Sequence, residues 1–215
     1  LFPYTTLFRS NAGGGGIDFS GSQIVLSGGT INGNSSDIAF YNNFNGDIHG
    51  DISLIKDTKS NFTFNYGKSY AIKTGINDTG VLDVTGGTAA NATNIQLWET
   101  YGNVAAQKWN VKLQRMINGV IDYAFETSIS SQFVIDLYGQ PSNIVSGANA
   151  ELYEFLDEED FYWKLVDTGN EYYYLKNGTG LCLEVAGAGI VSKTNIQAST
   201  CNQTNAQKWQ LEEVS

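Results

Sequence analysis

The sequence predicts an all-β fold in which three four-stranded units pack around a pseudo-threefold axis, behind a short β-rich segment of a different kind. Three observations predict it. The tetrapeptide Ala-Gln-Lys-Trp occurs twice, ending at Trp109 and at Trp209, and a worn copy, Phe161-Tyr162-Trp163, lies between them. The last part of the chain, about 150 residues, therefore divides into units of roughly 45 to 55 residues. No stretch of it carries a helical period of useful length, whereas short alternating apolar and polar runs recur throughout. Each unit is too small to bury a core alone, so twelve short strands must share one, and a β-trefoil fits that count.

The strands follow in order. Each unit opens on a tyrosine: Tyr70-Ala-Ile-Lys-Thr74, Tyr123-Ala-Phe-Glu-Thr127 and Tyr173-Tyr-Leu-Lys-Asn177. A second strand comes after a short polar turn, as Val81-Leu-Asp-Val84, Val134-Ile-Asp-Leu137 and Leu181-Cys-Leu-Glu-Val185, each with an acid beside its last aliphatic residue. A loop rich in Gly, Ala, Asn and Ser leads to a third, as Asn94-Ile-Gln-Leu-Trp98, Ala150-Glu-Leu-Tyr153 and Asn195-Ile-Gln-Ala198. The fourth carries Trp109, Trp163 or Trp209. The unit boundaries are expected at about 66–118, 119–168 and 169–215. A buried tryptophan removes roughly 200 Å² from water, so the three indoles are expected under the barrel. Gln107 and Gln207 are expected to tie a hairpin to its neighbour while also facing a pocket.

Gln107 to Trp109 and Gln207 to Trp209 spell a Q-x-W motif, and residues 66–215, about seven-tenths of the chain, resemble the ricin-B-type lectin family. The resemblance implies a sugar pocket in each unit, made by the acid of strand two, the glutamine and aromatic residue of strand three, and an Asn-Gln pair before the last tryptophan. In the first unit these are Asp83, Gln96, Trp98 and Gln107, with Ala106 in place of the asparagine and Asn103 three residues earlier as a substitute. The second unit has Asp136, Glu151 for the glutamine, Tyr153, and Asp160 before Phe161, with a Pro141-containing loop two residues longer. The third has Glu184, Gln197, Asn205 and Gln207, but Ser199 stands where a stacking ring is expected. The expected order of the sites is first, second, third. The alternative reading of Asp83, Asp136 and Glu184 is that they cap turns in a trefoil without ligand.

These residue types suit a neutral sugar, which offers a fork of hydroxyls and one apolar face. A carboxylate or amide takes the hydroxyl pair and a ring stacks on the face. A shallow pocket of this kind binds one sugar with a Kd near millimolar, about 4 kcal/mol. Useful affinity then requires several sites on one polymer, so a polysaccharide or dense glycan is the expected partner.

Cys182 and Cys201 are the only cysteines, and both fall in the third unit. Their places are similar to those of the intra-repeat disulfide of ricin-B-type repeats. Paired, they would close a loop of about 20 residues and imply an oxidising compartment; two unlinked buried thiols are the alternative.

Residues 11–65 are rich in Gly and Asn, without tryptophan, and contain short β runs such as Gln23-Ile-Val-Leu26, Gly46-Asp-Ile-His-Gly50 and Asn61-Phe-Thr-Phe64. Stacked rungs of a β-solenoid would read this way. The run from Phe44 to Lys56, with Phe62-Thr-Phe64 and Gly67-Lys-Ser-Tyr70, resembles the autotransporter-associated β-strand repeat, which implies the end of a secreted stalk. The tail of a β-helical lyase or of a β-sandwich is the alternative. Residues 1–10, LFPYTTLFRS, match the translation of a common sequencing-library adapter, so further upstream domains are expected to be missing.

With 22 acids against 12 bases the chain carries about −10, which disfavours nucleic acid, anionic membranes and strongly acidic glycans. His49 is the only histidine, so no histidine-based triad is available inside the trefoil, and no cofactor or metal is implied. Asp157-Glu-Glu-Asp160 lacks the spacing and glycine of an EF-hand loop and is expected to be solvated. Asp83, Asp136 and Glu184 fall in separate units, too far apart for the carboxylate pair of a glycosidase. No apolar run reaches 18 residues. The expected protein is a secreted or surface-displayed carbohydrate-binding module. The alternatives are a structural or protein-binding trefoil, or an accessory module of a glycan-degrading enzyme.

Overall fold

The computed structural model describes the backbone of residues 17–20, 23–26, 38–41, 62, 64, 68–100, 104–117 and 120–214, and the side chains of 62, 64, 68–100, 104–112 and 121–214. Three short strands come first: β1 (Ile17–Ser20), β2 (Gln23–Leu26) and β3 (Ile38–Tyr41). Twelve more follow in three sets of four. The first set is β4 (Ser69–Thr74), β5 (Gly80–Val84), β6 (Thr93–Glu99) and β7 (Trp109–Ile117). The second is β8 (Val120–Thr127), β9 (Phe133–Leu137), β10 (Ala150–Glu154) and β11 (Trp163–Gly169), and the third is β12 (Tyr172–Asn177), β13 (Cys182–Val185), β14 (Thr194–Ser199) and β15 (Lys208–Val214).

The first and fourth strands of the three sets close a six-stranded antiparallel ring in the order β4, β7, β8, β11, β12, β15 and back to β4. The second and third strands form three hairpins, β5–β6, β9–β10 and β13–β14. These join one another through β6–β10, β6–β14 and a bridge between Asn149 and Gln197. A closed barrel capped by a hairpin triplet is a β-trefoil, and closure leaves the barrel without an open edge. Before it, β1 and β2 pair antiparallel and β3 pairs antiparallel with β7. Gly46 to Gly50 and the rest of the run from Phe44 to Lys56, which carries the resemblance to the autotransporter-associated repeat, lie outside the described residues.

Alternation along the strands makes the core. β4 and β12 bury every second residue, and Ile72, Leu82, Ile95, Ile135, Leu152, Leu175, Leu183 and Ile196 are all within 1 % of complete burial. The three tryptophans are fully buried at equivalent places. Each indole Nε1 donates to the carbonyl just before a strand-two acid: Trp109 to Leu82 at 3.3 Å, Trp163 to Ile135 at 3.2 Å and Trp209 to Leu183 at 3.0 Å. The tryptophans are core residues, with their one polar atom satisfied.

Two aromatic residues from just before β4 complete the barrel. Phe64 is 2 % exposed and lies edge-on to Tyr70 at 5.0 Å, 4.7 Å from Tyr123 and 5.9 Å from Phe125; Phe62 lies edge-on to Tyr70 at 5.9 Å and to Tyr173 at 5.5 Å. Tyr70, Tyr123 and Tyr173 are the opening tyrosines of the three repeats, so Phe62 and Phe64 sit where the symmetry brings these rings together. The segment that reads in sequence as the end of a solenoid thus contributes core to the trefoil.

Cys182 and Cys201 are disulfide-bonded, and among the described residues no cysteine is free. Cys182 faces Ser199 across the β13–β14 ladder, so the bond ties the third hairpin to the turn that follows it. A separation of 19 residues is worth on the order of 3 kcal/mol through restriction of the unfolded chain. Reduction is expected to lower the unfolding free energy by about that amount, and denaturant titration with and without reductant measures it.

Candidate functional site

Strand two of each repeat places an acid between two core aliphatics: Leu82-Asp83-Val84, Ile135-Asp136-Leu137 and Leu183-Glu184-Val185. The period-two alternation sends the aliphatics inward and the acid to the opposite face, where it meets its cross-strand partner. The facing pairs are Asp83 with Gln96, Asp136 with Glu151 and Glu184 with Gln197. Trp98, Tyr153 and Ser199 lie two residues further along the same face of strand three. A short 3-10 turn precedes each fourth strand (Ala105–Gln107, Glu159–Phe161 and Asn205–Gln207), and in the first and third repeats it sets its last residue against the acid.

The first repeat assembles four of the five residues expected there; Asn103 lies outside the described residues. Gln96 Nε2 donates to Asp83 Oδ1 at 2.9 Å, and Gln107 Nε2 donates to Asp83 Oδ2 at 3.1 Å and to the Glu99 carbonyl at 3.0 Å. Asp83 is 8 % exposed. Burial raises its pKa, and the two amides oppose that rise because they bond the charged form. Two of roughly four lone-pair positions are used, which leaves capacity for hydroxyl donors. Removing one amide strands a buried carboxylate oxygen. Gln107→Leu is therefore expected to cost about 1–3 kcal/mol, readable by thermal unfolding, with Gln107→Glu no remedy.

The third repeat repeats this arrangement with one more amide. Gln197 Nε2 donates to Glu184 Oε1 at 3.1 Å, while Gln207 Nε2 and Asn202 Nδ2 donate to Oε2 at 2.8 and 3.2 Å. Gln207 Nε2 also donates to the Thr200 carbonyl at 2.9 Å, and its Oε1 accepts from the Asn202 N–H at 2.8 Å. An open concavity of about 340 Å³ lies over Glu184, lined also by Ile76, Gly187, Ala188, Asn202 and Asn205. No ring stands at Ser199; its hydroxyl lies 3.4 Å from that of Ser146, contributed by the second repeat. Asn202 is a site residue that the motif does not reveal, since it lies five positions before Gln207 with no counterpart in the Q-x-W pattern.

The second repeat is built differently. Glu151 replaces one amide donor and Phe161 the other, so Asp136 faces carboxylates: Asp160, Glu151 and Glu158 all act on it. Asp136, Glu151 and Asp160 are 5 %, 5 % and 2 % exposed, and Asp136 Oδ1 and Asp160 Oδ1 have no hydrogen-bond partner among the described residues. Burial first, then the neighbouring Asp160, pushes the Asp136 pKa up to about 8, against a backbone bond from Leu137 that lowers it; burial pushes Asp160 up to about 6. Glu151 is raised by burial, opposed by a bond from the Asn149 side chain. Tyr153 and Phe155 pack against Phe161, Tyr162, Val134 and Ala124 as a small satellite core. This corrects the expectation of a solvated acidic run at 157–160: Asp157 to Glu159 are exposed, but Asp160 is buried, because the 3-10 turn carries it inward beside Phe161. Among the described residues no group of His, Cys, Asp and Glu is arranged to hold a metal ion, and no helix is long and apolar enough to cross a membrane.

Residues 159–215, the end of the second repeat and the whole of the third, match the family model described as "Ricin-type beta-trefoil lectin domain-like". No curated protein matches the sequence. Among solved structures, the chain is similar to an exo-β-1,3-galactanase from Clostridium thermocellum (TM-score 0.60, 22 % identity, 72 % of this chain and 32 % of that one). It is similar to a designed threefold-symmetric protein, ThreeFoil (0.59, 22 %, 68 % and 98 %), and to the Rhizoctonia solani agglutinin (0.57, 18 %, 70 % and 98 %). The chain spans about a third of the galactanase and nearly all of the other two. The twelve-stranded unit thus has the β-trefoil fold of the ricin-B-type lectins, and its last repeat matches the model of their domain family.

Proposed function

We propose that the trefoil is a non-catalytic carbohydrate-binding module of a secreted or cell-surface protein, with its principal site in the first repeat. The observation that carries this reading is the acid held by two glutamine amides beside an aromatic ring, Asp83 with Gln96, Gln107 and Trp98. Asp83 accepts hydroxyl protons, Trp98 stacks on the apolar face of the sugar, and the glutamines orient the carboxylate. The third repeat, with the same amide-held acid under a concavity but no ring, is a weaker second site. The second repeat ranks last, because Tyr153 is engaged in packing and Asp136 lacks its amides; its role is structural. Two shallow sites suit a largely neutral polysaccharide engaged at more than one point. The disulfide suits an oxidising compartment. A trefoil that corresponds to 32 % of a galactanase chain agrees with an accessory-module arrangement.

Glycan-array and insoluble-polysaccharide pull-down assays of the full chain test the reading. Trp98→Ala is expected to weaken binding by about tenfold or more, the worth of one stacking contact, with an unchanged unfolding midpoint. Failure of the folded wild-type chain to bind any glycan leaves the structural-spacer reading.

A further inference from the structure

The loop between strands two and three of each repeat reaches across to strand three of another repeat. From the first repeat, the Ala92 N–H donates to the Leu152 carbonyl at 2.9 Å, and Asn91 Oδ1 accepts from the Glu154 N–H at 2.7 Å. From the second, the Gly147 N–H donates to the Ala198 carbonyl at 2.7 Å, and Ser146 Oγ accepts from the Thr200 N–H at 3.3 Å. From the third, the Lys193 N–H donates to the Leu97 carbonyl at 2.8 Å, and Ser192 Oγ accepts from the Glu99 N–H at 3.2 Å. Ala92, Gly147 and Lys193 are therefore equivalent, and all three are left-handed, with φ of 64°, 97° and 75°. Glycine adopts that conformation freely and a long side chain does not. The third repeat nevertheless spends a lysine there.

That lysine belongs to the first repeat's site. Its Nζ lies over the Trp98 ring, 5.6 Å from the ring centre, on the face of strand three that also carries Gln96. Lys193 is exposed. The ion pairs of the described residues use Lys68, Lys73, Lys112 and Lys164, and none uses Lys193. In a chain of net charge −10, an ammonium with no carboxylate partner among the described residues is thus held at the rim of an amide-and-acid pocket, on the ring expected to stack.

We propose that Lys193 is the anion-recognising residue of the first-repeat site, and that this site takes a uronic-acid unit within a largely neutral polysaccharide. The inference rests on the sugar-binding reading of that site and narrows its ligand. Asp83 receives hydroxyl protons, Trp98 takes the apolar face, and Lys193 pairs with the sugar carboxylate. The net charge of the chain repels a densely charged polyanion but not a polymer bearing one carboxylate among many neutral sugars.

The test uses the full chain with glucuronoxylan and a glucuronic-acid-bearing arabinogalactan, each beside the same polymer after reduction of its carboxylates to alcohols. Wild type is expected to prefer at least one native polymer over its reduced form by about two- to fivefold, the worth of an exposed ion pair. Lys193→Gln should abolish that preference, and Lys193→Arg should keep it. Equal binding of native and reduced polymers by wild type overturns the inference and leaves sugar binding intact. Tighter binding of the reduced polymers by Lys193→Gln than by wild type also overturns it, and makes Lys193 a cover on the ring. A preference that survives Lys193→Gln places the recognition elsewhere and overturns it too. Binding of no glycan at all defeats both readings.

Discussion

The unfolding midpoint of this trefoil should fall as pH rises from about 4 to about 8, by roughly 10 °C, which corresponds to roughly 3 kcal/mol or more. The cause is Asp136. Its folded pKa is about 8 against an ordinary 3.8, so the native state holds a proton at neutral pH that the unfolded chain releases. A carboxyl with a raised folded pKa contributes most below its unfolded pKa, and the contribution is lost as pH rises through the folded value. Asp160, raised to about 6, acts in the same direction over the lower part of that window. The groups bearing on Asp136 are Asp160, Glu151 and Glu158, all acidic, and the Leu137 N–H. Asp136→Asn should flatten most of the pH dependence, which separates this effect from the general relief of a net charge of −10 at low pH. Glu151→Gln, which copies the Gln96 to Asp83 bond of the first repeat, should gain about 1 kcal/mol at pH 8. Thermal melts across pH for the three proteins decide it; an equally steep profile for Asp136→Asn would refute the assignment.

Trp163→Ala should be the most damaging single substitution in the second repeat. The indole is fully buried among the barrel strands, and its Nε1 bonds the Ile135 carbonyl at 3.2 Å. Truncation opens a cavity in a core that cannot collapse around it, at about 3–5 kcal/mol. Loss of the N–H removes a partner from a buried carbonyl as well. Trp163→Phe keeps much of the volume and should cost about half as much. Because all three repeats share one core, the loss should appear as a single cooperative transition at lower denaturant in both fluorescence and far-UV circular dichroism, not as separate melting of the second repeat.

Much of the fold was legible because its determinants are local. Alternation in Tyr70 to Thr74 or Tyr173 to Asn177 is a direct image of a half-buried strand, and the doubled Ala-Gln-Lys-Trp sets the repeat length. The acid with its strand-three partner and its Q-x-W glutamine was legible for the same reason: each is placed by a strand position or a turn position within its own repeat. Contacts between repeats were not. Nothing near Lys193 in sequence indicates that its ammonium reaches Trp98, because the two are joined through contacts between repeats, the bond from the Lys193 N–H to the Leu97 carbonyl and the ladder between β14 and β6. Phe161 reads as a worn glutamine, but its consequence, the packing of Tyr153 against a satellite core and the burial of Asp160 with one carboxylate oxygen unpartnered, depends on how three segments pack. Asn202 was missed because its role follows from the curl of the turn after the disulfide.

The position of Phe64 among the tyrosines at the barrel axis bears on how such a molecule can be rebuilt. Its walls are threefold, but its floor is not: two rings, Phe64 against the first and second repeats and Phe62 against the first and third, come from outside every one of them. A chain assembled from three identical copies of any repeat would inherit the walls and the hairpin cap and still lack a floor. Symmetrisation would require either a bulkier residue at the three tyrosine positions or retention of the residues from 62 onward as a fourth, unrepeated part.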